Sequence, residues 1–362
     1  MITNRSMIGD FYRGKTVLIT GDTGFKGSWA VLCMLHLGAK VIGYALPPEE
    51  PRWNFSLCGL DETITHYDGD VRDSRSLGDV FHRHEPEIAF HFAAQPLVIT
   101  SYEDPHGTFE TNVMGTIAFL DAVRRTPSVR AAIIVTSDKC YENREWLYGY
   151  RETDRLGGND PYSASKACAE IVTQSYTRSF FRTDDTANVA SVRAGNVIGG
   201  GDWARHRIVP DCIRALLANE TIVLRNPGAV RPWQHVLEPL YGYFLLGARL
   251  ADDAELAGAW NFGPPPTSQR TVVELVDQLI ESWGGGDHRV EAPKEARHEA
   301  GLLALDSSKA MHRLPWNPVM DFRGTIEATI SGYRLPETTA AIVEHRLAQV
   351  ESYWARQNET RG

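Results

Sequence analysis

The sequence predicts an α/β fold, a doubly wound parallel sheet with a smaller C-terminal α/β lobe. Three observations predict it. Apolar runs of strand length alternate with runs of helical period, a glycine-rich turn follows the first strand directly, and the chain's punctuation changes after Arg193. Residues 15–20 read as a buried strand, 26–37 as a helix stopped by Gly38, and 40–44 as the next strand. Residues 87–92, 131–136 and 188–193 repeat the strand pattern, with helical runs at 108–125 and 161–181 among them. Such alternation means parallel strands joined by crossover helices. Beyond Arg193, a Gly-rich stretch and then Pro210, Pro227, Pro232, Pro239 and Pro264 break the chain into short segments. Residues 1–193 are therefore expected to form the sheet domain. Residues 194–362 should form mainly a second lobe, with some segments returning to the sheet and the last dozen residues tail-like.

Bulk properties narrow the class. A chain of 362 residues can bury a large core, and a net charge of −9 argues against a broad nucleic-acid-binding face. The five cysteines are scattered and form no CxxC pair, which argues against a disulfide framework and a structural zinc site. Residues 1–15 contain no apolar core of a signal peptide, and the most apolar stretch, 29–46, is broken by His36, Gly38 and Lys40. A soluble, cytoplasmic protein with no membrane partner is expected. His82 and His84 fall on a polar helical stretch and His91 on an apolar strand, so no metal is assigned.

The first strand runs into Gly21-Asp22-Thr23-Gly24-Phe25-Lys26-Gly27, with the spacing GxxGxxG. Glycine here allows a tight turn, close backbone approach to a diphosphate and tight helix–strand packing. The following helix N-terminus offers free N–H groups and positive potential. Placed between a buried strand and a helix, the turn predicts a dinucleotide site and a Rossmann-type sheet. The usual ribose-binding acid after the second strand is missing, because Ala45 and Leu46 stand there; Asp70, beside Val71, follows the next strand and can approach the adenine. NAD is the expected cofactor.

Tyr162 and Lys166 lie at i and i+4, on one face of the helix that Pro161 helps start. A phenol titrates near ~10 and is a poor base at neutral pH unless cations favour its phenolate. With them in place, Tyr162 can take a proton from a substrate hydroxyl as hydride leaves the same carbon. Ser137-Asp138-Lys139 sits at the C-terminal end of a strand, where open α/β sheets bind ligands. Ser137 can hydrogen-bond the same hydroxyl; the bland reading of Asp138-Lys139 is a capped or ion-paired strand end.

These residues, together with Thr111-Asn112-Val113, resemble the extended short-chain dehydrogenase/reductases that act on nucleotide sugars. Longer strings resemble their CDP-glucose 4,6-dehydratase branch. They are Thr23 to Gly27, Phe92 to Val98, Thr136 to Tyr141, Arg193 to Trp203, Arg231 to Val236 and Trp260 to Pro264. The resemblance covers about residues 12–265 and loosens between Glu49 and Leu60.

The resemblance implies an NAD-dependent lyase acting on CDP-glucose, in deoxysugar synthesis for a surface lipopolysaccharide. Tyr162, helped by Ser137, oxidises the sugar at C4; water is lost across C5 and C6; hydride returns to C6. Asp138 is the implied acid for the C6 hydroxyl, a role that requires burial to keep it protonated. Lys139 stands where dTDP-glucose enzymes carry Glu. It acts as base only if desolvation or a cation such as Lys166 releases its proton, and otherwise stabilises the enolate. The implied catalytic set is Ser137, Asp138, Lys139, Tyr162 and Lys166. The implied cofactor contacts are Gly21, Thr23, Gly24, Phe25, Lys26, Gly27, Asp70, Val71, Ala93, Ala94 and Gln95, with Tyr162 and Lys166. For the substrate, Asn196, Arg207, Arg225 and Arg231 are candidates for the diphosphate, and Trp203 and Trp233 either cover a base or pack in the core. A homodimer pairing helices 108–125 and 161–181 is also implied. Asp22 departs from the family's usual His; a carboxylate beside a pyrophosphate weakens binding unless it points away. A dTDP- or GDP-linked 4,6-dehydratase and a 4-epimerase are the alternatives among enzymes, the epimerase having no use for an acid at C6. An NAD-binding regulatory protein is the alternative outside them.

Overall fold

A computed structural model describes residues 4–181, 183, 186–291 and 301–359. Six strands appear in chain order: β1 (Thr16–Thr20), β2 (Lys40–Ala45), β3 (Thr65–Asp68), β4 (Ile88–His91), β5 (Ala131–Val135) and β6 (Asn188–Arg193). A seventh, Gly258–Asn261, returns from the C-terminal half to pair with β6. All seven are parallel, in the order Gly258–Asn261, β6, β5, β4, β1, β2, β3. The chain therefore builds outward from β1 in one direction and then in the other. The reversal opens a crevice at the carboxyl ends of β1 and β4.

Strand alternation sorts the core onto two faces. Val17 and Ile19 of β1, with Ala131, Ile133 and Val135 of β5, enter one apolar cluster, while Leu18, Ala132 and Ile134 enter the other. The first cluster is closed by helices Phe25–His36 and Leu237–Leu250, the second by Ser74–His84 and Gly115–Arg124. Helix ends follow local chemistry. Asp73 accepts from the N–H groups of Arg75 and Ser76, and Asp160 from that of Ser163, with Pro161 in the first turn. Gly38, at φ 77°, ends the first crossover helix. The expected helix at 108–125 is interrupted: Glu110–Met114 is a π-helical turn, preceded by Pro105–Phe109 and followed by Gly115–Arg124.

A third apolar cluster has its buried members between Ile198 and Tyr333, among them Val209, Ile213, Leu275, Leu279 and Ile326. Short strand pairs frame it, including Val230–Pro232 against Gln269–Thr271. The C-terminal expectation is corrected. Helix Thr339–Glu359 occupies most of the supposed tail, with Tyr353 and Trp354 buried. Its Tyr353 hydroxyl donates to Glu238 at 2.8 Å, and Glu238 also accepts from the backbone N–H of Val319 and Met320. Apolar residues spaced along one face and a buried carboxylate to meet hold this helix down. Among the described residues no helix is long and apolar enough to cross a membrane.

Candidate active site

The glycine turn begins at the carboxyl end of β1. Gly21 has φ 73°, and a Cβ there would lie 2.6 Å from the Ala93 nitrogen, so the turn is pressed against the segment leaving β4. At Gly27 a Cβ would meet the Gly21 carbonyl oxygen at 2.0 Å. Only glycine fits at either position. Gly24 is the N-cap of helix Phe25–His36, and with no side chain to engage them the first N–H groups face the crevice. That cradle suits a diphosphate. Thr23 spends its hydroxyl on the Leu46 carbonyl, at 2.8 Å, tying the turn to the chain beyond β2. Phe25 is half-buried against the first core cluster.

Asp22 turns away from the cradle. Its carboxylate passes over Gly43, where a Cβ would come within 2.1 Å of Oδ2, and that oxygen meets His66 Nδ1 at 2.7 Å. The departure from the family's His thus adds its charge to a buried pair inside the sheet's flank and leaves the phosphate side alone.

The segment after β4 is held by an amide lattice. The Gln95 N–H donates to Asn112 Oδ1 at 2.8 Å, and Asn112 Nδ2 donates to the Gln95 carbonyl and to Ser165 Oγ. The Gln95 side chain is itself engaged by Thr108 and Leu97. Of Ala93, Ala94 and Gln95, then, Gln95 keeps its side chain for the scaffold and leaves mainly backbone to a ligand. Asp70 accepts three bonds from the Arg72 guanidinium, which hold its carboxyl below the usual range, and Val71 beside it is buried against Gly115.

Tyr162 and Lys166 project from helix Pro161–Phe180 beneath the end of β5, and both are buried. Burial pushes the Tyr162 phenol up to about 12; a hydrogen bond with Ser137 and the Arg207 guanidinium oppose the rise, and Asp138 adds to it. Burial draws the Lys166 ammonium down to about 8, against the pull of Glu170. Lys166 Nζ donates to the Val135 carbonyl at 3.3 Å, fixing it under the strand end. Ser137 Oγ donates to Asp138 Oδ1 at 2.9 Å and accepts from the Lys139 N–H at 3.2 Å. Asp138 is 1% exposed, and its Oδ2 has no hydrogen-bond partner. Space for that oxygen exists because residue 195 is glycine: a Cβ would sit 1.8 Å from it. Lys139 is half-buried beside the crevice.

Lys26, at the start of the phosphate-turn helix, joins this group. Burial and the charges of Arg207 and Lys166 lower its ammonium to about 8, while Asp138 and Asp202 pull the other way. Arg207 pairs with Asp202 at 2.8 Å, and Tyr333 donates to the Asp202 carbonyl at 2.6 Å. The Arg207 guanidinium thus lies near enough to act on the Tyr162 phenol as well as on the expected substrate side. Asn196, at φ 50°, has a buried Oδ1 without a partner. Arg225 is exposed after the strand Ile222–Leu224, and Arg231 donates to the Val230 and Gly301 carbonyls. Trp203 and Trp233 belong to the third core cluster; Arg52 covers the Trp203 ring at 4.6 Å, and the Trp233 indole N–H donates to the Arg270 carbonyl. The structure gives both rings to packing.

Sequence reading missed Glu170, Arg193, Asp202 and Gly195. Glu170 had a visible signal, since it continues the i, i+4 series of Tyr162 and Lys166. The others are brought to the site only by chain folding.

A profile of the family described as GDP-mannose 4,6 dehydratase matches residues 18–329. A curated CDP-glucose 4,6-dehydratase from Salmonella typhimurium is 46% identical over 314 residues, 85% of this chain and 88% of that one. A dTDP-glucose 4,6-dehydratase from Streptomyces antibioticus is 30% identical over 331 residues, 88% of this chain and 92% of that one. Among solved structures, Thermus thermophilus UDP-glucose 4-epimerase in complex with NAD matches with a TM-score of 0.76 at 25% identity, over 88% of this chain and 99% of that one. The dTDP-glucose 4,6-dehydratase DesIV from Streptomyces venezuelae, also with NAD bound, matches with a TM-score of 0.75 at 25% identity, over 88% and 97%. By sequence along most of its length and by the sheet that carries its site, the chain belongs to the GDP-mannose 4,6-dehydratase family of extended short-chain dehydrogenase/reductases.

Proposed function

We propose that this protein removes water from CDP-glucose, giving a CDP-linked 4-keto-6-deoxy sugar. The observation that carries the reading is Asp138, sealed beside Tyr162 with one oxygen held by Ser137 and the other unpartnered. A 4-epimerase has no use for an acid in that position, whereas elimination needs one. The CDP-glucose assignment draws on the relative at 46% identity and on Lys139, which stands where a dTDP-glucose enzyme carries Glu.

NAD, which the glycine cradle fits, supplies a hydride acceptor at C4 and a hydride donor at C6. Tyr162, hydrogen-bonded to Ser137, takes the C4 hydroxyl proton. Lys166 holds positive charge one turn along the helix. Asp138 gives its proton from Oδ2 to the departing C6 hydroxyl, and Lys139 Nζ takes the proton that C5 loses, becoming the cation beside the enolate. Asn196, Arg207, Arg225 and Arg231 hold the nucleotide diphosphate. Lys26 lies between the two ligands.

Two further parts of the reading rest on surface and chemistry. Phe109, Met114, Ile171 and Phe180 are exposed on the helical segments flanking the site, which supports a homodimer through that face. All five cysteines are free thiols, which suits the cytoplasm.

The test is incubation of the purified protein with CDP-glucose, dTDP-glucose and GDP-mannose separately, with products read by mass spectrometry. Loss of one water from CDP-glucose alone is expected. A product of unchanged mass with an inverted C4 centre by NMR would move the assignment to an epimerase.

A further inference from the structure

Helix Pro161–Phe180 carries a third buried polar residue in line with its catalytic pair. Glu170 lies four residues after Lys166, which lies four after Tyr162, so the three stack on one helical face. Glu170 is 3% exposed. Its Oε1 accepts from the Thr136 hydroxyl, and its Oε2 accepts from Ser191 Oγ and Arg193 Nη2, each at 2.7 Å. Arg193 is equally buried; its Nη1 donates to the Tyr141 hydroxyl at 2.6 Å, and Tyr141 donates to Asn261 Oδ1 at 2.8 Å. One carboxylate thus ties the catalytic helix to the ends of β5 and β6, and through Arg193 and Tyr141 to the seventh strand. Thr136 immediately precedes Ser137 and Asp138.

We propose that Glu170, held ionised by Arg193, is a positioning residue that places Ser137 and Asp138 and keeps Lys166 charged. The inference rests on the dehydratase reading for its consequence in turnover, but the geometry is independent of the substrate. Burial opposes charge on Glu170, and the guanidinium with the hydrogen bonds from Arg193, Thr136 and Ser191 outweighs it, leaving the carboxyl below its usual range. Glu170 is in turn the leading group that resists the desolvation of Lys166. The other titratable groups facing Lys166 are Tyr162 from the preceding turn of its own helix, Lys26 from the phosphate-turn helix, His91 from β4 and Cys140 from the turn after Ser137. None of these is an anion at neutral pH, so Glu170 is the counter-charge among the described residues.

The test uses the full chain with lysine 13Cε NMR, Lys166 being assigned by the loss of its signal in Lys166→Arg. Glu170→Gln alone leaves Arg193 buried without a carboxylate and risks unfolding. The double variant E170Q/R193M removes both charges together and so avoids a buried uncompensated charge, with its fold checked by circular dichroism before titration. In it the Lys166 midpoint should fall by roughly one pH unit, the size expected for losing one near counter-charge. The Lys26 midpoint should move the opposite way, upward, because it loses part of the repulsion from Lys166. If wild type converts CDP-glucose, kcat at neutral pH should fall about tenfold with KM little changed, because a neutral Lys166 no longer offers a cation to the phenolate that Tyr162 must reach in the reaction. A folded double variant with an unmoved Lys166 midpoint overturns the inference. A moved midpoint with no turnover by wild type overturns the dehydratase reading instead.

Discussion

Two carboxylates, Asp138 and Glu170, lie around the Tyr162–Lys166 pair, both almost sealed from solvent, and the protein treats them in opposite ways. Glu170 has donors on both oxygens and a guanidinium at 2.7 Å. Asp138 has a donor only on Oδ1; its Oδ2 faces a space kept open by Gly195. A buried carboxylate saturated with donors stays charged and acts as framework. Asp138, with a bare oxygen close to Tyr162, leaves that oxygen to a ligand. The comparison teaches that hydrogen-bond saturation, more than burial, separates the scaffold from the chemistry here.

The comparison can be broken at four places, beginning with the largest effect. Asp138→Asn keeps the shape and the bond to Ser137 but removes the transferable proton. Turnover of CDP-glucose, followed as loss of water by mass spectrometry, should drop by about 10²–10⁴-fold with the melting temperature little changed. Full activity in this variant would remove Asp138 from the mechanism. Glu170→Ala should act the other way, costing about 3–5 kcal/mol of stability by leaving Arg193 uncompensated. Denaturant unfolding measures it; a cost under ~1 kcal/mol would mean that the network is not holding the strand ends.

Gly195→Ala tests the space itself. The added carbon displaces the Asp138 carboxylate, and a misplacement near 1 Å is expected to lower turnover by up to about 10²-fold while NAD still binds. Unchanged turnover would show that the carboxylate works equally well elsewhere.

The smallest effect concerns a third buried carboxylate, Asp22, whose Oδ2 meets a titratable partner. Burial draws the His66 imidazole down, but the bonds and charges of Asp22 and Asp68 outweigh that, so its folded pKa lies above its unfolded value. The stability this gives is complete below about pH 6.5 and is lost as pH rises through the raised value. The melting temperature of wild type should fall over that window, and His66→Gln should flatten the slope. An identical slope in the variant would assign the pH dependence to other groups.

Much of the site was legible before folding. The glycine turn, the Tyr162–Lys166 spacing and the strand-end position of Ser137 are local patterns, and each lies where its periodicity placed it. The C-terminal helix was not legible. Its burial depends on Glu238, more than a hundred residues earlier, receiving the Tyr353 hydroxyl. Trp203 likewise stayed open between covering a base and packing in the core, because sequence does not show that Arg52 lies over its ring.

What the sequence determined by itself is therefore what nearest neighbours along the chain decide. These are the alternation that makes a parallel sheet, the glycines that let backbone approach backbone, and the helical spacing that stacks Tyr162, Lys166 and Glu170. Only the tertiary structure decided which polar groups are paired. It brought Arg193 to Glu170, Gly195 to Asp138, and His66 to Asp22, pairs separated by 23, 57 and 44 residues. Charge in a buried site is governed by desolvation and by partners a few ångströms away. Those distances are set by packing, which no local stretch of sequence contains.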